Sequence, residues 1–360
     1  MLNFRQNITR RIHAIWQTPG LISTFLLPLS WIVSLFVQIK AWRYRRSPDI
    51  RPAPLPIVVV GNLMVGGTGK TPVVIALVHG LQKLGWKPGV ISRGYGARLP
   101  KNQARCGITP LNPAEFGDEP SLIAAATGVP VAVHPQRNLA LSALHGHWPE
   151  VDIVISDDGL QHLALARDFE IVVQDARGLG NGRILPAGPL REPRRRLQTV
   201  DLIISNSSHT GNEEAVSNPH RLKPLPELPG HVPVVRMQLQ PVSCTHLASD
   251  QVVPWHQWRQ AHLEASTGAV AAIGQPERFF GMLRRQGIAL EQCIALPDHD
   301  RFEHPPFAKM SASIILVTDK DAVKCKTLND HRLWSVQVLP RFSDERWVQH
   351  LHEAIKSRYS

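Results

Sequence analysis

Ile57-Val58-Val59-Val60 runs through Gly61-Asn62-Leu63-Met64-Val65 into Gly66-Gly67-Thr68-Gly69-Lys70-Thr71, and Pro72-Val73-Val74-Ile75-Ala76-Leu77 follows. An apolar strand feeding a glycine loop that opens a helix is the setting in which successive backbone amides turn inward around a phosphate. In that setting Lys70 can bridge β- and γ-oxygens, and the Thr71 hydroxyl can sit on magnesium. Gly66, Gly67, Thr68, Gly69, Lys70 and Thr71 are therefore the expected nucleotide-binding residues. Strict P-loop spacing asks for glycine at position 64, where this chain has Met64, so the match is to a variant of the motif. A glycine-rich turn without chemistry is the plainer alternative, but the flanking strand and helix are the context the motif requires.

Outward from this loop, apolar runs expected to be strands lie at 57–60, 89–92, 129–133, 151–155, 169–173 and 201–205, with helical patterns between several of them. Such alternation predicts an α/β fold: a P-loop NTPase-like core with a mostly parallel sheet covered on both faces and ligand sites at the carboxyl ends of the strands. Proline-rich stretches at 48–56 and 219–233 read as a connector and a hinge. Further strands expected at 270–273, 314–317 and 334–338 supply a second, smaller α/β domain, and 343–356 reads as a closing helix. The expected division is an N-terminal membrane anchor over 1–47, a core over 48–225, the smaller domain over 226–340 and the C-terminal helix over 341–360.

The chain has 360 residues, 43% of them hydrophobic, which suffices for two domains with real cores. Its formal charge of +11 predicts attraction to an anionic partner: nucleic acid, an anionic membrane surface or a phosphorylated substrate. Cys106, Cys244, Cys293 and Cys325 lie far apart, without zinc-ligand spacing or disulfide density, and read as reduced thiols.

Residues 21–39 form a mostly apolar stretch containing Phe25, Trp31 and Phe36, near the roughly 20 residues that span a bilayer. Thr24, Pro28, three serines and Gln38 dilute it, so a helix lying in the interface competes with one that crosses. Lys40, Arg43, Arg45 and Arg46 follow, interleaved with Trp42 and Tyr44, and would hold the downstream domain on the cytoplasmic side. Arg5, Arg10 and Arg11 make the other flank basic too, which leaves the topology open.

Val151-Asp152-Ile153-Val154-Ile155-Ser156-Asp157-Asp158 is an apolar strand ending in two carboxylates, the arrangement by which P-loop enzymes hold magnesium directly or through water. By itself Asp-Asp also opens ordinary turns. Gly117-Asp118-Glu119-Pro120 precedes a helical stretch, so its carboxylates can cap a helix, take a proton or bind a metal. Composition leaves these alternatives open.

Val60-Gly61-Asn62-Leu63 with the 66–72 loop, Ser92-Arg93-Gly94-Tyr95-Gly96, Gly117-Asp118-Glu119-Pro120, Asp157-Asp158-Gly159-Leu160-Gln161-His162, Leu185-Pro186-Ala187-Gly188-Pro189-Leu190-Arg191-Glu192-Pro193 and Pro297-Asp298-His299 together resemble the tetraacyldisaccharide 4'-kinase family. The resemblance covers nearly the whole chain, through Asp319-Lys320-Asp321-Ala322-Val323-Lys324. It implies transfer of the γ-phosphoryl group of ATP, with Mg2+, to the 4'-hydroxyl of an acylated disaccharide phospholipid at the cytoplasmic face of a bacterial inner membrane. That anionic surface would account for the charge and the anchor together, with no nucleic acid and no protein partner implied. The resemblance further implies Asp118 as the base, His299 as its orienting partner, Lys70 as the catalytic cation, and Thr71, Glu119, Asp157 and Asp158 around magnesium. Arg93, Arg177 and Arg191 are candidates for lipid phosphate or ATP because a guanidinium grips phosphate oxygens bidentately, and Tyr95 for positioning a ligand.

Two positions depart from the family pattern. Asp300 stands where a second histidine is expected after Pro-Asp-His, and Thr318-Asp319-Lys320-Asp321 replaces a Thr-Glu-Lys-Asp start. A membrane-tethered ATPase or GTPase switch would share the anchor and loop, but that P-loop type usually carries lysine where Val65 stands, and the Asn/Thr-Lys-x-Asp guanine signature is interrupted at Asp319. A nucleic-acid binder would explain the charge and leave the P-loop and acidic strand end unused.

Overall fold

The computed structural model describes residues 15–46, 55–206, 230–297, 300 and 302–359. Most of both proline-rich stretches, the 48–56 connector and the 219–233 hinge, falls outside them, as does His299. The described chain forms two compact units, the first from residues within 15–206, 230–236 and 342–359, the second from residues within 237–341.

The first unit is built on β1 (Ile57–Gly61), β2 (Pro88–Ser92), β3 (Arg105–Gly107), β4 (Val131–Val133), β5 (Ile153–Asp157), β6 (Phe169–Asp175) and β7 (Leu202–Asn206). Their order is β7-β6-β1-β5-β2-β4-β3, parallel throughout except the β3–β4 pair. β1, β2, β5 and β6 are buried along their whole length, as expected of parallel strands covered on both faces. Val73, Val74, Leu77, Val78 and Leu81 form the buried stripe of the Lys70–Lys83 helix.

The expected strand at 151–155 begins and ends two residues later. Its pairing with β1 runs from Ile57 opposite Val154 to Val60 opposite Asp157, so Asp157 closes the ladder instead of starting the loop. The expected strand at 129–133 begins later too, because Pro130 can donate nothing to the ladder; its carbonyl instead accepts from the Val90 amide.

The second unit places β11 (Leu290–Ala295), β10 (Thr267–Ala271), β12 (Ile314–Thr318) and β13 (Leu333–Phe342) side by side in parallel, followed by β8 (Val234–His246). β9 (Val252–Pro254) pairs antiparallel with β8. The closing helix runs Trp347–Tyr359 and packs in the first unit, where Trp86 donates to His352 Nδ1 at 2.7 Å.

Near the N-terminus two helices, Leu21–Phe25 and Leu27–Arg45, are separated at Leu26. No helix among the described residues is long and apolar enough to cross a membrane, which removes the crossing helix, one of the two alternatives left open for the 21–39 stretch. The reason is dimensional: the apolar part of the second helix ends near Ile39, giving it about 20 Å at about 1.5 Å per residue against a hydrocarbon core of about 30 Å. Its outward face nonetheless carries exposed Leu29, Trp31, Ile32, Leu35, Phe36 and Ile39.

Candidate active site

The carboxyl ends of β1, β5 and β2 lie side by side, because Val60 pairs with Asp157 and Ile91 with Ser156. This register puts the glycine loop after β1 next to the acidic end of β5. Gly66 and Gly69 have φ of 101° and 91°, conformations that a side chain resists. Three side chains hold the loop carbonyls: Asn62 Nδ2 donates to Gly66 O at 3.0 Å, Arg177 Nη2 to Gly67 O at 3.3 Å and Asn206 Nδ2 to Thr68 O at 3.2 Å. In a trans peptide the N–H points opposite to the C=O, so the amides of Gly67, Thr68 and Gly69 face away from these braces. The Lys70–Lys83 helix begins at Gly69 with no side-chain cap and no acidic residue in its first turn. Its N-terminal amides and dipole suit an anion.

Charge converges where this loop meets β5. Lys70 Nζ lies 3.4 Å from Asp158 Oδ1, and Arg191 Nη1 lies 3.4 Å from the same oxygen. Burial works to raise the Asp158 carboxyl, but Lys70 and Arg191 outweigh it and hold the group below the usual carboxylate range. Asp157, one residue earlier and fully buried, behaves oppositely. Burial and then the nearby Glu119 push it up to about 7, against the pull of Lys70. Ser92 donates to Asp157 Oδ2 at 3.1 Å, while Oδ1 has no hydrogen-bond partner among the described residues.

Asp118 and Glu119 open the Asp118–Thr127 helix and are half-buried. The N-cap is Gly117, with φ 93°, so a capping role for the Asp118 carboxylate is set aside. A Cβ on Gly117 would stand 2.7 Å from the Tyr95 carbonyl, and this close approach ties the Ser92–Gly96 turn to the start of the helix. Arg93 and Tyr95 themselves are exposed on that turn. Arg177 lies against the glycine loop with its guanidinium gripped by Asp175, at 2.7 Å from Nη2 to Oδ2 and 3.0 Å from Nε to Oδ1. The structure thus gathers Lys70, Asp157, Asp158, Glu119 and Arg191, sets Arg177 on the loop, and leaves Arg93 and Tyr95 on the neighbouring turn.

Four residues to which the sequence assigned no catalytic or binding role also shape the site. Arg137, buried at 3% exposure, donates to the carbonyls of Asp157 and Asp158 at 3.4 and 3.2 Å. Burial lowers its pKa, and the two carboxylates oppose that. His162, held down to about 4 by burial and by Arg137 and Arg167, accepts the Arg137 amide at 3.3 Å, so it is a neutral brace. Gln161 accepts from Arg191 at 3.1 Å and donates to Glu192 at 2.8 Å. Gln161, His162 and Glu192 lie inside the quoted motifs, whereas Arg137 lies outside all of them.

No group of three His, Cys, Asp or Glu side chains among the described residues is arranged to hold a metal ion. Mg2+ needs less than that, since one or two carboxylates complete its shell with water and phosphate oxygens. The partnerless oxygen of buried Asp157, beside Glu119 and the Lys70-bound Asp158, is a donor set that fits such an ion.

Against known proteins, the tetraacyldisaccharide-1-P 4'-kinase family matches over residues 22–356. The tetraacyldisaccharide 4'-kinase of Bordetella petrii is 50% identical over 91% of this chain and 90% of its own, and that of Bordetella parapertussis 45% identical over 99% of both. Among solved structures, LpxK from Aquifex aeolicus in complex with ATP aligns over 93% of this chain and 99% of its own, with a TM-score of 0.72 at 24% identity, a likeness of fold.

Proposed function

The chain belongs to the tetraacyldisaccharide 4'-kinase family and phosphorylates the 4'-hydroxyl of its acylated disaccharide substrate from ATP; from that premise we propose how its own residues divide the work. The observation that carries the proposal is the meeting of Lys70, Arg191, Asp157 and Asp158 at the carboxyl ends of adjacent strands β1 and β5. The amides of 67–69 and the open N-terminus of the Lys70–Lys83 helix bind the β-phosphate of ATP, and Lys70 leaves Asp158 to follow charge onto the transferring group. Preorganised charge of this kind supplies most of the barrier lowering in phosphoryl transfer. Asp157, Asp158, Glu119 and Thr71 would hold magnesium, whose charge shields the phosphate oxygens from one another and from the attacking hydroxyl. Asp118, half-buried at the mouth of its helix, takes the proton of the 4'-hydroxyl, and His299 orients it. A positioned base of this kind adds roughly 10²- to 10⁴-fold.

Arg191, whose pairing with Asp158 is long at 3.4 Å, and Arg93 present guanidinium groups to the anionic lipid or to ATP. Arg177 acts on the loop itself, because Asp175 already engages its guanidinium. The exposed apolar face of Leu27–Arg45, with Arg46 stacked 4.6 Å from the Trp42 ring centre, rests in the interface of an anionic inner membrane on its cytoplasmic side.

The test is direct. Purified protein with magnesium and γ-labelled ATP should label tetraacyldisaccharide 1-phosphate presented in detergent micelles. Label appearing only as inorganic phosphate, or on a soluble acceptor while the disaccharide stays unlabelled, would overturn the assignment of residues to this reaction.

A further inference from the structure

The Leu27–Arg45 helix has an apolar outward face and a polar inward seam, and the seam is bonded to one loop. Ser30 is 3% exposed between neighbours Leu29 and Trp31 at 51% and 67%. Its hydroxyl donates to Ile184 O at 2.8 Å and accepts from the Ala187 amide at 3.0 Å. The same seam continues on either side. Arg183 donates to Ser23 at 2.9 Å and Thr24 at 3.1 Å, Trp16 Nε1 donates to Pro186 O at 3.0 Å, and Arg195 donates to Gln38 at 2.6 Å. Every one of these partners lies between 183 and 195.

That loop is closed on itself and anchored at its far end on the nucleotide loop. Gly188 N donates to Ile184 O at 3.0 Å, Leu185 N to Leu190 O at 2.9 Å, and Asn181 Nδ2 to Ala187 O at 2.8 Å. Past the turn, Val65 N donates to Pro189 O at 3.0 Å and Arg191 N to Leu63 O at 2.7 Å. Ser30 is thus three residues of tightly bonded backbone from Leu190 and four from Arg191, whose guanidinium shares Asp158 with Lys70. A buried hydroxyl making two long-range backbone bonds fixes position more than it adds stability, since a net hydrogen bond contributes only about 1 kcal/mol.

We propose that Ser30 is a positioning residue: through its bonds to Ile184 and Ala187, the interfacial helix holds the 184–191 loop so that Arg191 and the Leu63–Val65 edge of the nucleotide loop stand in transfer geometry. Seating of the helix at the lipid surface and readiness of the phosphate site are then coupled through a serine. The proposal rests on the reading of Arg191 and of the helix given above.

The test compares two isosteric replacements in the full chain, Ser30→Thr, which keeps a hydroxyl, and Ser30→Val, which does not. Both crowd the pocket equally, so their difference reports the hydroxyl. The Val variant should show kcat for the lipid acceptor lower than the Thr variant by roughly 10-fold or more, with KM for ATP within about twofold, because small misplacements of a substrate-positioning group cost rate before they cost nucleotide binding. Binding to vesicles of phosphatidylglycerol and phosphatidylethanolamine should be the same for both, and amide exchange at Ala187 should be faster in the Val variant. Equal kcat in the two, or a loss of kcat that tracks a loss of vesicle binding, overturns the proposal. If both replacements unseat the helix, Ser30→Ala carries the same comparison against wild type: lowered kcat with retained vesicle binding supports the proposal, and wild-type kcat overturns it. Failure of the underlying reading shows separately, as wild-type turnover in Arg191→Ala or unchanged vesicle binding in Trp31→Ser combined with Phe36→Ser. Either result takes the coupling down with it.

Discussion

Replacing Asp157 by Asn should abolish most transfer while making the nucleotide-free first unit more resistant to alkaline pH. The carboxyl is raised from 3.8 to about 7, first by burial and then by Glu119. A group whose folded pKa lies above its unfolded one contributes stability that is fully present below the unfolded value and is lost as pH rises through the folded value. Here the window runs from about 4 to about 7. About 3 pKa units at about 1.4 kcal/mol each give a total near 4 kcal/mol, of which about 3 kcal/mol falls between pH 5 and pH 8. Asn keeps the acceptor for Ser92 and carries no charge to desolvate, so the variant lacks this slope. Hydrogen exchange of the β5 amides reads the opening free energy of this unit alone. Measured without nucleotide or magnesium, the wild type should lose about 3 kcal/mol more than the variant between the two pH values. Magnesium with ATP should bind more tightly as pH rises towards 7, because the ion must displace a proton from Asp157. Equal pH slopes in the two proteins would refute the argument.

Lys70→Ala should lower turnover by several orders of magnitude with an unchanged circular-dichroism spectrum, since the positive charge aimed at the transferring group is gone; near-normal turnover would remove Lys70 from catalysis. Asp118→Asn should reduce kcat far more than ATP affinity, and His299→Ala should add little to it; multiplicative losses in the double variant would reject the pair. Gly117→Ala should destabilise the first unit by about 2 kcal/mol or more in urea unfolding, because the new Cβ meets the Tyr95 carbonyl at 2.7 Å in a left-handed backbone. Trp31→Ser with Phe36→Ser should weaken vesicle flotation roughly tenfold or more with ATP binding retained, both side chains being more than 60% exposed on the outward face.

The fold of the first unit was legible because its strands are buried on both faces, and buried parallel strands write themselves as continuous apolar runs. β1, β2, β5 and β6 are buried throughout, and the runs 57–60, 90–91, 153–155 and 171–173 at their centres follow that rule. β8 and β11 do not: β8 mixes buried with half-buried residues and β11 half-buried with exposed ones, with polar side chains interspersed in both, a pattern that a single sequence does not separate from a loop. The glycine loop was legible for a different reason, namely that the positive φ at Gly66 and Gly69 favours residues without a side chain. Arg137 was not, because its role depends on a helix start being carried next to the end of β5, a neighbourhood that no spacing in the chain encodes. The polar residues of the N-terminal segment do work that hydropathy hides. Thr24, Ser30 and Gln38 read as dilution of a membrane span, whereas each is bonded to the 183–195 segment. A hydroxyl in an apolar helix lowers hydropathy equally whether it faces lipid or protein, so hydropathy could not tell the two apart.

The same limit applies to Asp157-Asp158. In sequence they are interchangeable, and their separation comes from one backbone step. Asp157 is the last residue of β5 paired with β1, and its buried side chain stays against Ser92 at the end of β2, away from water. Asp158 follows with φ 49°, a left-handed turn that Asp tolerates better than most residues, and this swings its carboxylate to Lys70 and Arg191. The first environment favours the protonated acid and the second the ion. Two like charges one residue apart would repel if both faced the same solvent, but these two ionise at different pH values. Asp158 stands between the two basic groups, while Asp157 keeps an oxygen that pairs with no described residue, the one proposed above for a cation. A change that moved the end of β5 by one residue would exchange these environments, so the register of Val60 with Asp157 is as much a part of the proposed phosphate site as the glycines are.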